Sequence, residues 1–417
     1  MTLHFNKTPI NLREKLSELE RPIGIQGGRV MSAENLRDAY ELTGSGRKNL
    51  IINGDMRIFQ RGTTYSNTGL SSTLSGWFTA DRWRSYVTMS GTGSIDLSYQ
   101  QDATTHPKQT EAWEAVGDFY SSLKATVVSN SYVPSGTDSI ALYNTRIESY
   151  DLNQLGYGSD HAKYATLSFW IRSNKTGTAS LQIRMTDSSN TSGAADSNFM
   201  TSYTIDRANT WEYKTIVIPP NTRDTWRRNI SIVGFDIYWW FGSNQGNLGI
   251  QSCDRWRRAN NFGQPHAHST FNVFRDGGEF WLTGVQLEVG SQATPFEHRT
   301  LNEELTLCRR YYETSYNLNT APGSITSDGE EVIDFNGAST LIVRKGVRYK
   351  VNKRSIPTVT FYNPSLSNTT GSARTNFGTT NTTLNGPYGN GNTGYFTDTT
   401  PSAGEFCRFH WTSESEI

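Results

Sequence analysis

From Asn49 to about Arg299, apolar and polar residues alternate with a period of two. YATLSFWIR (Tyr164 to Arg172) and GVQLEV (Gly284 to Val289) show it plainly. A period of two places successive side chains on opposite faces of a strand. Similar runs are NLIING, ADRWRSYV, SIDLSYQ, SSLKATVV, SIALYNTRI, ASLQIRM, SYTI, EYKTIVIPP, ISIVGFDIYWW and EFWLTGVQLEV. The turn-forming stretches SGTG, PSGT, SNKTGT, SNTSGA and RDGG separate them. About ten short strands over roughly 250 residues predict an antiparallel sandwich of the jelly-roll type. No strand-like run is followed by a matching amphipathic helix, so a parallel α/β sheet is not expected.

The pattern changes at both ends. In NLREKLSELE, Leu12, Leu16 and Leu19 recur at helical spacing and Pro22 stops the helix. A second short helix is predicted in SAENLRDAYELTGSG, with Ser32 as N-cap, an apolar stripe of Leu36 and Tyr40, and Gly44-Ser45-Gly46 as its end. Two helices with stripes this thin cannot bury a core. Residues 1–48 are therefore expected to dock on their own copies or on a partner, the alternative being an unstructured arm. At TLNEELTLCRRYYE, Leu301, Leu305, Cys308 and Tyr312 share one helical face, with Glu303 and Glu304 early and Arg309 and Arg310 late. That charge order suits the helix dipole and makes Cys308 a packing residue. Strands return in GASTLIVRKGVRY, KRSIPTVTFYNP and EFCRFHWTS. The Ser/Thr/Asn/Gly-rich stretch from Ser365 to Gly394 reads as a β-meander or a surface loop. The expected fold is thus mainly β: a helical N-terminal segment (1–48), a jelly-roll sandwich (49–299), then a helix and a C-terminal β domain (300–417).

Composition narrows the function. The 417 residues carry a formal net charge of +0, with 19% charged and 12% aromatic residues, 11 of them Trp. So many aromatics exclude a disordered chain. Neutrality gives no electrostatic case for nucleic acid or an anionic membrane. Cys253, Cys308 and Cys407 form neither a metal spacing nor a disulfide framework, as expected of synthesis in a reducing cytoplasm. No signal-peptide core and no apolar run of about 18 residues is present, so a soluble, non-exported protein is expected. There is no glycine-rich phosphate loop, HExxH, GxSxG or CxxC.

Candidate chemistry is sparse. Asp187, Asp196, Asp206 and Asp224 sit in turn-like contexts rather than as a catalytic carboxylate pair. His266 and His268 could present two imidazoles to a metal, but no third ligand is placed. Asp254-Arg255-Trp256-Arg257-Arg258 is a single basic cluster with an aromatic inside it. The aromatic excess says more, because sugars stack their C–H faces on Trp and Tyr rings. In IYWWFGSNQGN, one of two adjacent tryptophans must face away from the core. Trp239, Trp240 and Trp256 are therefore the candidate ligand-binding residues. No residue is assigned to catalysis, a metal or a cofactor.

NLIINGDMRIFQRGTTY (Asn49 to Tyr65) followed by FTADRW (Phe78 to Trp83) resembles the opening of many phage tail-fibre and related virion proteins. LTGVQLEVGSQATPFEHRTLNEELTLCRRYYE (Leu282 to Glu313) and IPTVTFYNP (Ile356 to Pro364) resemble later segments of the same family. The resemblance implies a non-enzymatic structural virion protein, a homotrimeric tail fibre with a carbohydrate-binding-module-like jelly roll. Leu12, Leu16, Leu19, Leu36 and Tyr40 would attach it to tail adaptor or nozzle proteins, and its β domains would bind a host-surface glycan or another envelope component. It would be made in the host cytoplasm and carried in the phage tail. A glycan-degrading tail spike and a tail or head component without receptor binding are the rivals. Residues 251–272 look longer and more basic than the family pattern. Asn49 to Tyr65 is expected to be an opening strand with a turn at Asn53-Gly54, and Asp81 and Arg82 to pair with Arg57 or Glu288. In jelly-roll binding modules the first and last strands lie side by side, which would bring Asp55 near Glu288. A structural Ca²⁺ there is set against Arg57 as the simpler counter-charge.

Overall fold

Along Ala165–Ser173 (β7), Ala165, Leu167, Phe169 and Ile171 enter the main core, while Thr166, Ser168, Trp170 and Arg172 face outward. The computed structural model describes residues 48–107, 119–135, 138–185, 197–222, 232–243, 254–258, 270–334, 343–375, 380–399 and 406–417. The attachment residues Leu12, Leu16, Leu19, Leu36 and Tyr40 lie outside the described residues.

Two antiparallel sheets face each other in a jelly-roll sandwich. The first runs Thr64–Leu70 (β1), Thr92–Asp102 (β4), Ser122–Val133 (β5), Gly278–Val289 (β13), β7, Glu212–Ile218 (β10). The second runs Trp256–Arg258 (β12), Ser197–Ile205 (β9), Gly177–Met185 (β8), Val233–Ser243 (β11), Ser139–Glu148 (β6), Trp83–Thr88 (β3), Leu74–Trp77 (β2). The inward residues of both sheets fill one core that includes Leu97, Ile140, Leu181, Phe235, Trp239 and Leu282. Alternation did not reveal β1, β2 or β12. All three lie at sheet edges, where a strand needs no continuous apolar face.

The opening stretch departs from expectation. Asn49 to Thr63 is not a strand but a run of turns fastened by side chains. Leu50 N–H donates to Leu287 O and Val285 N–H donates to Gly54 O, both at 2.9 Å, and these backbone bonds tie the segment to β13. Asn53, at φ 57, then replaces the ladder. Its Oδ1 accepts from the N–H groups of Arg57 (2.9 Å) and Ile58 (3.0 Å). Its Nδ2 donates to the carbonyls of Ile58 and Asp81 at 2.9 Å each, and Trp83 Nε1 donates to its own carbonyl at 2.9 Å. A side-chain amide that satisfies this many backbone groups outcompetes strand pairing. Gly54 follows because no Cβ fits: it would lie 2.2 Å from Val285 O.

The short helix Val273–Asp276 (α1) precedes β13, and Leu301–Arg309 (α2) follows the sandwich with a capping box between Thr300 and Glu303. Cys308 is fully buried on α2, but Leu301 points to solvent and Tyr312 belongs to the next strand. The helix ends before the expected stripe is complete. In the C-terminal region, Phe406–Glu414 (β22) is central. It pairs with Tyr312–Thr314 (β14), Glu331–Asp334 (β15), Thr358–Tyr362 (β17) and Ser372–Thr375 (β18). Thr380–Thr383 (β19) pairs with β18. Val343–Arg348 (β16), Gly394–Thr399 (β21) and Asn385–Gly391 (β20) make a separate three-stranded sheet. Ser365 to Gly394 is thus strand-bearing where described. A second core of Ile333, Val347, Phe361, Phe409 and Trp411 lies beneath these strands.

A buried charge array joins the two cores. Arg82 pairs with Glu416, and its guanidinium lies 3.5 Å from the Tyr311 ring centre. Arg61 stands 3.0 Å from Glu416 and 3.6 Å from Asp81, and 3.7 Å over the Tyr312 ring. Glu148 accepts from Arg310 Nε at 2.7 Å and from Tyr311 Oη at 2.6 Å. Arg146 donates to Ile417 O at 2.6 Å. Asp81 and Arg82 therefore pair with Arg61 and Glu416, not with Arg57 or Glu288. Asp55 takes Arg57 as its counter-charge. Glu288 is occupied by Gln286 Nε2 (2.9 Å) and Thr294 Oγ1 (2.6 Å).

Burial pushes the Asp81 carboxyl up to about 7, outweighing Arg61 and Gln60, which pull it down. A raised carboxyl stabilises the fold fully below the unfolded value and loses that contribution as pH rises through about 7. Asp81→Asn should remove this decline. Between pH 4 and 8 the unfolding free energy of the variant, relative to the native protein, should rise by up to about 4 kcal/mol in urea titrations. Gly54→Ala should cost about 2 kcal/mol or more in the same assay, since Val285 O is backbone and cannot swing aside.

Candidate functional site

The expected binding tryptophans are closed off. Trp239 faces the core, 5.5 Å from Trp83 and 5.7 Å from Phe169 between ring centres. Trp240 faces the outer side of the second sheet, stacked at 5.2 Å on Tyr238 with Tyr86 edge-on. Its Nε1 donates to Gln182 Oε1 at 3.1 Å, and Gln182 in turn donates to Asn198 at 2.9 Å. Both tryptophans are 0% exposed, so neither offers a ring to a ligand. Trp256 is half-buried on the edge strand β12. It donates to Pro219 O at 2.7 Å and packs against Tyr157, Phe199 and Phe235. The strand pattern sends Trp239 and Trp240 to opposite faces, so the three do not form one site.

The polar groups beside Trp240 are satisfied internally as well. Asp236 accepts from Asn144 (2.6 Å), Arg146 (3.2 Å) and Tyr238 Oη (2.6 Å). Burial, and secondarily Asp236, holds the Tyr238 phenol well above its ordinary value, so it stays a donor.

On the outer side of the first sheet, Trp170 and Trp281 are buried with Phe119 and Trp211 in a small aromatic cluster, and Tyr213 beside Trp170 is exposed. Trp170 on β7 pairs across the ladder with Tyr213 on β10 and Thr283 on β13. Trp281 on β13 lies between Arg172 of β7 and Lys124 of β5. The Lys124 ammonium sits 4.8 Å and the Arg172 guanidinium 4.5 Å from the Trp281 ring centre. These are cation–π distances, and they fix the ring against the sheet. Trp281 Nε1 donates to Asp102 Oδ2 at 2.9 Å. Burial alone would raise Asp102, but hydrogen bonds from Thr104, Trp281 and Thr105 outweigh it and hold the carboxyl at about 2. The Trp170 and Tyr213 ring centres are 5.2 Å apart, and Tyr213, on the sheet-edge strand, is 36% exposed. Trp211, just before β10, keeps an indole N–H with no partner.

The alternation in YATLSFWIR already sends Trp170 and Arg172 outward, and that in EFWLTG sends Trp281 outward. Of these rings Tyr213 is exposed and could stack on an amphipathic ring, whereas Trp170 and Trp281 are packing residues. The carboxylates nearby are already engaged: Asp102 with Trp281, and Glu279 with Lys124. Asp206, on the turn before β10, is exposed and 3.5 Å from Lys214. Asp187, Asp196, Asp224, Cys253, His266 and His268 lie outside the described residues. Among the described residues, no group of three or more His, Cys, Asp or Glu side chains could hold a metal. The basic run around Trp256 becomes the short strand β12, paired with β9.

No family model matches the chain, and no curated protein matches it. Among solved structures it is similar to the enzymatically active domain of tailspike protein 4 of bacteriophage CBA120. That match has 12% identity and a TM-score of 0.26, and covers 58% of this chain but only 21% of the tailspike chain. It is also similar to the family 11 carbohydrate-binding module of Clostridium thermocellum in complex with a β-1,3-1,4-mixed-linked tetrasaccharide. There the identity is 15% and the TM-score 0.24, over 56% of this chain and 99% of the module. A family 30 carbohydrate-binding module matches at 14% identity and a TM-score of 0.26, over 56% of this chain and 91% of the module.

Because Trp240 is a packing residue, Trp240→Ala should destabilise the protein by about 3–5 kcal/mol in denaturant unfolding. A ring that served only a ligand would leave the unfolding midpoint nearly unchanged.

Proposed function

We propose that this chain is a structural phage virion protein, a tail fibre that binds a host-surface glycan through the first sheet of its sandwich. The observation that carries this reading is the exposed Tyr213 ring on the edge strand β10, 5.2 Å from the buried Trp170. The sequence segments that resemble phage tail fibres supply the virion context. Residues 1–48 would attach the fibre to the tail adaptor or nozzle and gather three copies. Three weak sites on one fibre then act together, so each single site needs little affinity. The function is binding rather than cleavage. The buried carboxylates Asp81, Glu148, Asp236 and Glu416 are each spent on a structural partner.

The full chain, fluorescently labelled, should stain host cells and bind purified host-surface polysaccharide without releasing reducing sugar. Tyr213→Ala should lower polysaccharide binding at least about fivefold, roughly the stabilisation of one stacked ring, with little change in melting temperature. Release of oligosaccharide would overturn the non-enzymatic reading. Absence of both staining and polysaccharide binding would overturn the receptor role.

A further inference from the structure

The outer face of the C-terminal strands carries two arginines in one row. Ile333 of β15, Cys407 and Phe409 of β22, and Ala373 of β18 enter the second core. The residues alternating with them therefore face away from it. In the strand register Val332 lies opposite Arg408, and Arg408 lies opposite Arg374. Arg374 and Arg408 thus stand side by side on adjacent strands and on the same outer face, both half-buried. Residues opposed in this way have Cβ atoms about 5 Å apart, and like charges so placed destabilise the pair.

The surrounding groups do not cancel that repulsion. Arg408 donates from Nη1 to Glu330 at 2.7 Å, and its guanidinium lies 4.7 Å from the Phe406 ring centre. Among the described residues its Nη2 has no hydrogen bond, and Arg374 has neither a hydrogen bond nor an ion pair. Asp334 shares the face, but it stands on β15 opposite Phe406. Two strand spacings, about 10 Å, separate it from β18. Two residues before Arg374, Ser372 lies opposite the exposed Thr383 of β19, so two hydroxyls share the face with Arg374. A local conflict of this kind is characteristic of a functional place.

The set suits one chemical group. Guanidinium groups donate paired hydrogen bonds to oxyanions and are the usual choice for phosphate. A phosphate has enough charge and enough oxygens to accept from both arginines and from a hydroxyl. A carboxylate has only two oxygens. We infer that Arg374 and Arg408 form a binding site for a phosphate group, free or carried on a saccharide, with the Ser372 and Thr383 hydroxyls beside them. The site lies on the C-terminal strands and does not depend on Tyr213 binding anything.

The full chain would be titrated with D-glucose 6-phosphate and with inorganic phosphate at constant ionic strength, following phosphorus NMR. Both should bind saturably. Tighter binding of the sugar phosphate would show that the saccharide adds contacts, and equal binding that the phosphate group alone is recognised; either supports the site. D-glucose should not displace glucose 6-phosphate, and D-glucuronate should do so only at a concentration at least about tenfold higher than inorganic phosphate, since it makes fewer charged hydrogen bonds. Arg374→Gln should weaken glucose 6-phosphate at least about tenfold, the effect of losing a hydrogen bond to a charged group. The same variant, without ligand, should melt at the native temperature or above it, because a repelling charge has gone. Tyr213→Ala should leave phosphate binding unchanged. The inference is overturned if neither phosphate binds saturably, if Arg374→Gln binds as the native chain does, or if that variant melts lower, which would make Arg374 a structural residue. Displacement by glucose, or by glucuronate as readily as by inorganic phosphate, would overturn it too, as would loss of phosphate binding in Tyr213→Ala.

Discussion

The arrangement of this protein depends on the buried pair of Arg82 and Glu416 and the charges gathered round it. Arg82 stands at the entrance to β3, and Glu416 is the next-to-last residue. Arg61 shares Glu416 and adds Asp81, while Glu148 at the end of β6 takes Arg310 and Tyr311. Ion pairs of this kind add little net stability, because desolvation consumes most of the attraction. Their effect is on geometry: a misplaced strand would leave a charge buried and alone. The two cores are thereby held in one register, and the end of the chain is locked against the beginning of the sandwich.

The opening segment serves the same joint. Asn53 ties the backbone at Ile58 and Asp81 and the Trp83 indole into one knot, and Gln60 donates from both its backbone and its side chain to Asp81. Its polar residues are thus neither catalytic nor strand-edge groups. They satisfy backbone and carboxylate groups that would otherwise be buried unpaired. The resemblance to tail-fibre openings rests on these same residues, so what that motif encodes physically here is a joint.

The two aromatic faces of the sandwich differ in what happens to them. On the second sheet, Tyr238 and Trp240 are sealed and their polar neighbours bond to one another. On the first, cations lie on Trp281 and the edge strand leaves Tyr213 open to solvent. Edge position leaves Tyr213 exposed while the rings beside it are packed, and edge position is not visible in a single strand. Trp239 and Trp240, like Trp170 and Trp281, are packing residues.

Much of the fold was legible because period-two alternation is a local property. β4 to β11 and β13 each announce an inward and an outward face within ten or so residues, and Thr300 with Glu303 marks the start of α2 in the same local way. The edge strands β1, β2 and β12 are too short or too polar to show a period, whereas the edge strand β10 shows one because Ile216 and Ile218 enter the core. The opening turn was misread because β-branched residues signal a strand, whereas the Asn53 amide captures the backbone. By itself, the sequence determined that a mainly β sandwich would form and, along β4 to β11 and β13, which face each side chain would take. Only the tertiary structure decided which outward rings stay accessible and which charges meet. Accessibility depends on what distant segments lay over a face, and pairs such as Arg82 with Glu416 join residues from opposite ends of the described chain.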